Sequence, residues 1–268
     1  MSRPYAEVIG DPIAQSKSPA IHGFWLGKLG IDAEYRAWHV KPECLPDYFT
    51  ARWVDPDWRG CNITMPHKQT AMAHVDRIDP GAAQIGAINT VVRESEGTLA
   101  GYNTDAGGFV EPLGDRSYPA VSVIGAGGAA RAILAALAQR GTAWVSLQNR
   151  SIAKGEALLA EFGLSGCVVE PGAEVPIADL LVNTSSLGMS GYPPMPPVER
   201  YVAAGGTVYD IVTHPLVTDL MQRAQAQGLH TIDGLAMLIG QAALAFEKFF
   251  GMPAPRQHDA ELRALLIE

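Results

Sequence analysis

Short apolar runs broken by glycine and proline alternate with longer stretches in which apolar residues recur at helical spacing. Residues 5–9 read as a strand, stopped by Gly10, Asp11 and Pro12. Ser18 then stands as an N-cap with Pro19 at the first helical position, opening a helix through Ile21, Trp25 and Leu29 that ends at Gly30. Alternation over 33–40, with Tyr35, Ala37 and His39 against Glu34, Arg36 and Trp38, predicts a second strand. A helix is expected over 45–52 and a third strand over 61–64. Pro66 marks where another helix would start, with Lys68 in its first turn. An apolar strand over 86–92 and a helix over 106–113 follow, the latter with Thr104 or Asp105 available as its cap.

Beyond Pro119 the pattern becomes strand, helix, strand, helix in succession, as in a parallel sheet. Strands are expected at 121–124, 144–147, 180–183, 207–212 and 230–232, with helices at 129–137, 152–162 and 216–227. Gly234 then opens a long apolar helix to Phe250, on which Met237, Gln241 and Ala245 share one face. Gln241 is either a satisfied core amide or a ligand contact. An amphipathic helix over 258–266 closes the chain, and no repeat or low-complexity tract interrupts it.

Length and composition narrow the class. A chain of 268 residues, 47% hydrophobic and 18% charged, suits one large or two modest globular domains. A net charge of -8 argues against nucleic-acid binding, and it means that any anionic ligand must be held by local contacts. Cys44, Cys61 and Cys167 are scattered, with no paired or zinc spacing, which points to a reducing compartment. The first residues have no apolar signal core, and the apolar stretch 235–246 is too short to span a bilayer. The expectation is a cytoplasmic protein with no membrane partner.

The strongest local motif is the glycine-rich turn of Gly125, Ala126, Gly127, Gly128 and Ala129, between an apolar strand and an apolar helix. Gly125 allows the sharp turn and Gly127 the close approach of a ligand, while the first helical N–H groups point at a pyrophosphate site. Taken alone the turn is a weak signal. Near the end of the next strand, an acidic residue would bind the ribose of NAD; Asn149 and Arg150 stand there instead, followed by Ser151 and Lys154. A guanidinium suits a 2′-phosphate, which tilts the cofactor to NADP. Ser16 and Ser18 lie at a strand-to-helix edge, where two hydroxyls can hold a carboxylate.

Taken together, SKSP (16–19), NITMPHK (62–68), GAINTV (86–91), GYNTD (101–105), GAGGAAR (125–131), NRS (149–151) and DGLAMLIGQ (233–241) resemble the shikimate dehydrogenase family in order and spacing. The resemblance covers nearly the whole chain. It implies an α/β fold of two domains with a cleft between them. Residues 1–104 with 235–268 would form the substrate-binding catalytic domain, and 105–234 a Rossmann-type, parallel-sheet NADP domain. It also implies reversible reduction of 3-dehydroshikimate by NADPH, on the route to the aromatic amino acids. Lys68 and Asp105 are similar to the family's catalytic pair. Ser16, Ser18, Thr64, Lys68, Asn89, Asp105 and Gln241 resemble its substrate ligands. The residues from Gly125 to Ala129, with Asn149, Arg150, Ser151, Lys154, Ile211 and Gly234, resemble its NADP contacts. Gly188 would lie near the nicotinamide.

No metal is required, and no metal-ligand cluster stands out in the sequence. The expected partner is a small-molecule substrate, with the chain a monomer or a homodimer. Two departures stand out. Thr213 and His214 occupy a segment where the family usually has a tyrosine, and Ala236 replaces a glycine. The first keeps quinate or an aminated shikimate open as the alternative substrate. A folate-type methylene dehydrogenase and a non-catalytic NADPH-binding regulator are disfavoured, the former by SKSP and GYNTD and the latter by Lys68 and Asp105.

Overall fold

A computed structural model describes residues 3–94 and 96–267. The chain divides into two compact units, Met1–Gly108 with Leu238–Glu268, and Phe109–Met237.

The first unit runs β1 (Tyr5–Gly10), α1 (Ser18–Leu29), β2 (Glu34–His39), α2 (Leu45–Trp53), β3 (Trp58–Ile63), β4 (Arg77–Ile78), α3 (Pro80–Ile85), β5 (Thr90–Arg93) and β6 (Leu99–Tyr102). Helix α4 (Asp105–Val110) follows at the unit's boundary. The six strands form one sheet in the order β2-β1-β3-β5-β6-β4. Strand β1 lies parallel to β2 and β3, whereas β5 is antiparallel to both β3 and β6. The ends of β1, β3 and β6 and the start of β5 therefore meet along one edge. Ile9, Phe49, Trp58, Ile63, Ile88, Val91 and Leu99 belong to the core beneath that edge.

The second unit contains β7 (Ala120–Ile124), α5 (Gly128–Gln139), β8 (Trp144–Gln148), α6 (Ile152–Glu161), β9 (Gly166–Val169), β10 (Ala178–Asn183), β11 (Val202–Asp210), α7 (Asp219–Ala226) and β12 (His230–Ile232). All its strand pairs are parallel, in the order β12-β11-β10-β7-β8-β9. Strand order reverses between β7 and β10, and a crevice for ligands opens beyond the strand ends at such a point. Helix α8 (Gly234–Phe250) and, from within the first unit, α9 (Asp259–Ile267) end the chain.

Several elements depart from the sequence pattern. Ser18 is not a cap: Lys17 holds the cap position without a side-chain capping bond, and Ser16 Oγ accepts from the Ser18 N–H at 3.3 Å. No helix starts at Pro66. Residues 65–69 turn, held by the His67 N–H on the Thr64 carbonyl (3.0 Å), and a 3-10 turn covers Thr70–His74. Lys68 thus sits outside any helical first turn. The expected strand over 86–92 is divided, because Gly86 closes α3 in the left-handed region (φ 68°) and pairing begins only at Thr90. The helix expected to Leu113 tightens into a 3-10 turn over Glu111–Leu113, where Pro112 lacks an N–H to continue it. Strands β4, β6 and β9, each of four residues or fewer, are too short to show a period.

Candidate active site and nucleotide site

The antiparallel course of β5 gathers residues that are far apart in sequence. Thr64 and Lys68 follow β3, Asn89 precedes β5, and Asp105 follows β6. Backbone bonds fix this convergence: the Ile63 N–H donates to the Asn89 carbonyl (2.7 Å), Ile88 to Lys68 (2.8 Å) and Asn89 to Tyr102 (2.9 Å).

Lys68 Nζ lies 2.6 Å from Asp105 Oδ2, with side-chain exposures of 14% and 7%. A lysine so placed is desolvated enough for its charge to act strongly, yet open enough to meet a ligand. Asp105 Oδ1 accepts from Asn89 Nδ2 at 2.9 Å. Neither Thr104 nor Asp105 caps α4 with its side chain, since Asn103 Oδ1 takes the Asp105 N–H at 3.0 Å. That frees both for the site. The Thr104 hydroxyl reaches Asn89 (2.9 Å) and Gln241 Oε1 (3.2 Å). Gln241, on α8, is buried within this polar group, and so is a satisfied core amide with an edge on the site.

A second layer lies behind. Thr90 Oγ1 touches Asn89 Oδ1 and receives Asn62 Nδ2, both at 3.0 Å. Tyr35 donates to Asn62 Oδ1 at 2.6 Å. Burial holds the Tyr35 hydroxyl well above the ordinary tyrosine range, so it keeps its proton. Ser18 is buried at the start of α1, its N–H on Ser16 Oγ. Ser16 and Thr64 are partly exposed at the strand ends. Behind Tyr35, His22 stacks on its ring at 3.9 Å, and neither imidazole nitrogen has a partner. Burial pushes the His22 pKa down to about 3. Asn62, Thr90 and Tyr35 carry no local sequence signal as site residues, and Thr104 looked like a cap. Only the pairing of Asn62 with Thr90 across β3 and β5 brings them in.

In the second unit, Gly125 follows β7 with φ 102°, and a Cβ there would meet Thr184 Oγ1 at 2.8 Å. Both facts require glycine. Beside Gly127 a Cβ would meet nothing, so the space over the turn is open, and no side chain caps α5. Ala126 is buried, whereas Gly128 and Ala129 are partly exposed at the helix start. An uncapped helix end with open space above it fits a phosphate group. Ser151 caps α6 by accepting from the Lys154 N–H (3.4 Å), and Asn149 Nδ2 donates to the Ser151 carbonyl (2.8 Å). This local lock leaves Arg150 and Lys154 exposed, with no acidic partner among the described residues. Their cations suit the extra phosphate of NADP.

Ile211 and Gly234 are neighbours, and a Cβ on Gly234 would lie 2.4 Å from the Ile211 carbonyl oxygen. Packing alone thus requires that glycine. Gly188, also in the left-handed region (φ 82°), precedes Met189 in the loop after β10. A further buried cluster went unmarked in the sequence. Asp210 accepts from Asn183 (2.9 Å), Thr218 (2.7 Å) and the Val212 N–H (3.1 Å). Burial raises its pKa while these bonds oppose the rise. It ties the ends of β10 and β11 to α7. Among the described residues no group of His, Cys, Asp and Glu could hold a metal ion, and no helix is long and apolar enough to cross a membrane.

A parallel sheet with an open glycine turn at its switch point, in one chain with a lysine–aspartate site, is the plan of a nicotinamide-dependent oxidoreductase. Family models for the shikimate dehydrogenase substrate binding domain and the shikimate 5′-dehydrogenase C-terminal domain match residues 8–91 and 234–261. The chain is 55% identical to a shikimate dehydrogenase (NADP(+)) of Sphingopyxis alaskensis, over 98% of this chain and 97% of that one. It also matches the solved shikimate 5-dehydrogenase of Thermus thermophilus in complex with NADP(H) and shikimate (TM-score 0.85, 37% identity, 98% and 99% of the two chains). A quinate dehydrogenase from Corynebacterium glutamicum in complex with NAD is similar too (TM-score 0.87, 28% identity, 98% and 99%). The chain belongs to the shikimate dehydrogenase family.

Proposed function

We propose that this protein reversibly reduces 3-dehydroshikimate to shikimate with NADPH, in the biosynthesis of aromatic amino acids. The observation that carries the reading is the Lys68–Asp105 pair at 2.6 Å, set among the buried amides of Asn89 and Gln241. The alkoxide developing at the ring carbonyl needs a proton and a positive charge beside it. Lys68 Nζ can supply both as general acid, and acts as base in the reverse direction. Asp105 holds Lys68 in place and accepts from a ring hydroxyl. At 2.6 Å the two groups act together, and the pair is the acid–base unit. Ser16, Ser18 and Thr64 offer hydroxyls for the substrate carboxylate, Gln241 offers its amide to a ring hydroxyl, and Asn89 lines the ring's place while holding Asp105.

The first unit then serves as the substrate-binding catalytic domain and the second as the NADP domain. Residues 125–129 hold the pyrophosphate. Asn149, Arg150, Ser151 and Lys154 receive the 2′-phosphate, and Ile211 and Gly234 border the nicotinamide. When bound, the reduced nicotinamide supplies the hydride. The protein works in the cytoplasm.

Quinate, with one more ring hydroxyl, is the second reading, supported by the likeness to a quinate dehydrogenase and by Thr213. Purified protein given NADP or NAD with shikimate or quinate separates the two through the absorbance of reduced nicotinamide. Turnover is expected to be fastest with shikimate and NADP. No turnover with shikimate at any pH overturns the main reading.

A further inference from the structure

The hydrogen bonds around Asn89 can be followed proton by proton. The Thr104 backbone N–H, which can only donate, lies 2.7 Å from Asn89 Oδ1 and so fixes which end of that amide is oxygen. Asn89 Nδ2 has two protons and three acceptors in reach. Asp105 Oδ1 and Thr104 Oγ1 are nearer, both at 2.9 Å, and Gln241 Oε1 is farther at 3.3 Å. Both protons are therefore spent on the nearer two. The Thr104 hydroxyl, having accepted from Asn89, has one proton to give. Asn89 Oδ1 lies within its reach at 3.2 Å, but that oxygen already receives the Thr104 N–H and, at 3.0 Å, the Thr90 hydroxyl.

The Thr90 proton is itself directed there. Thr90 accepts from Asn62 Nδ2 (3.0 Å), and Asn62 Oδ1 is taken by the Tyr35 hydroxyl (2.6 Å). Two acceptors remain for the Thr104 proton, Thr90 Oγ1 at 3.4 Å and Gln241 Oε1 at 3.2 Å, and it goes to the nearer, Gln241. With its oxygen so held, the Gln241 amide turns Nε2 the other way. One N–H of Nε2 donates to the Leu238 carbonyl (3.1 Å), and the other is left to a ligand.

We propose that Thr104 is a positioning residue for substrate: its hydroxyl proton fixes the Gln241 amide so that position 241 meets the substrate as a hydrogen-bond donor. The group recognised there is then an acceptor oxygen, such as a ring hydroxyl lone pair. This rests on the shikimate reading above. Thr104 is 2% exposed, so its hydroxyl acts through Gln241 rather than by contact.

Steady-state kinetics with shikimate and NADP test it. Thr104→Val keeps the shape and the backbone N–H but loses the proton. It is expected to raise KM for shikimate about fivefold and to change kcat by about twofold or less, in keeping with one lost neutral hydrogen bond acting on binding. KM for NADP stays as in the parent, and Thr104→Ser restores the shikimate KM. Thr104→Ala and Thr104→Ser differ only in the hydroxyl, so their ratio of shikimate KM values gives the same reading should the valine variant not fold. An unchanged shikimate KM in Thr104→Val, or a serine variant as poor as the valine or alanine one, overturns the proposal. Parent protein that turns over no shikimate overturns the functional reading, and this inference with it.

Discussion

The two candidate sites of this molecule are built on opposite principles. In the second unit the ligand site is backbone: a glycine turn, an uncapped helix start and exposed cations on a capped loop. In the first unit it is side chain: a lysine, an aspartate, two amides and two threonines, cross-bonded and almost wholly buried. A phosphate can be cradled by any sequence that keeps the turn open, so the backbone site is tolerant of side-chain identity. A ring with several similar hydroxyls must be told apart group by group, and that takes donors and acceptors of fixed sign. On the proposed function, affinity for the cofactor and selectivity for the substrate are written in different materials.

The contrast is broken most severely at Lys68. Lys68→Ala is expected to lower kcat by about a thousandfold, the loss of a general acid together with its charge, and to leave NADP binding as it was. Titration of NADP by protein fluorescence checks the second half. A variant that loses cofactor binding as well would mean that the two sites are not separable in this way.

A smaller effect is expected at Arg150. Arg150→Ala should raise the apparent KM for NADP by roughly tenfold to a hundredfold, the range of a charge-assisted contact to phosphate, and hardly move that for NAD. Equal effects on the two cofactors would remove Arg150 from the 2′-phosphate site.

The smallest effect concerns stability. Unfolded His22 protonates near its ordinary pKa of 6.5, whereas the folded chain keeps it neutral down to about 3. Between those values the unfolded state binds more protons, so folding stability falls as the pH falls. The slope is about 1.4 kcal/mol per pH unit, or roughly 2 kcal/mol at pH 5. His22→Phe removes that titration and the two unpartnered ring nitrogens. Denaturant melts at pH 7 and pH 5 should show the parent losing more stability than the variant. Equal losses would mean that His22 is charged in the fold.

The same division governs what could be read before the fold was known. The glycine turn and the Asn149–Arg150 pair are local, so a few adjacent residues announce them. The repeated strand–helix pattern after Pro119 also matches the parallel sheet. The first unit is different. Its site residues come from five separated segments, and composition or periodicity singles out none of them. Family resemblance links them in the sequence, and the antiparallel turn-back of β5 brings those around β3, β5 and β6 together in the molecule. Local rules misread two of these segments. Pro66 looked like the start of a helix but lies in a turn, and Ser18 looked like a cap but is the first helical residue, with Lys17 at the cap position. Asn62 and Thr90 stayed hidden because polar residues inside short strands have meaning only through their partners across the sheet.

The ordered protons between Tyr35 and Gln241 have one more consequence. Every group in that file is either donor or acceptor toward its neighbour, with the Thr104 N–H setting the sense. Turning one amide alone would set two donors, or two bare oxygens, face to face. The file can reverse only as a whole, and the backbone N–H forbids that. It behaves as a ratchet with a single tooth. A visiting molecule must arrive with matching polarity, because the protein has no second arrangement to offer it.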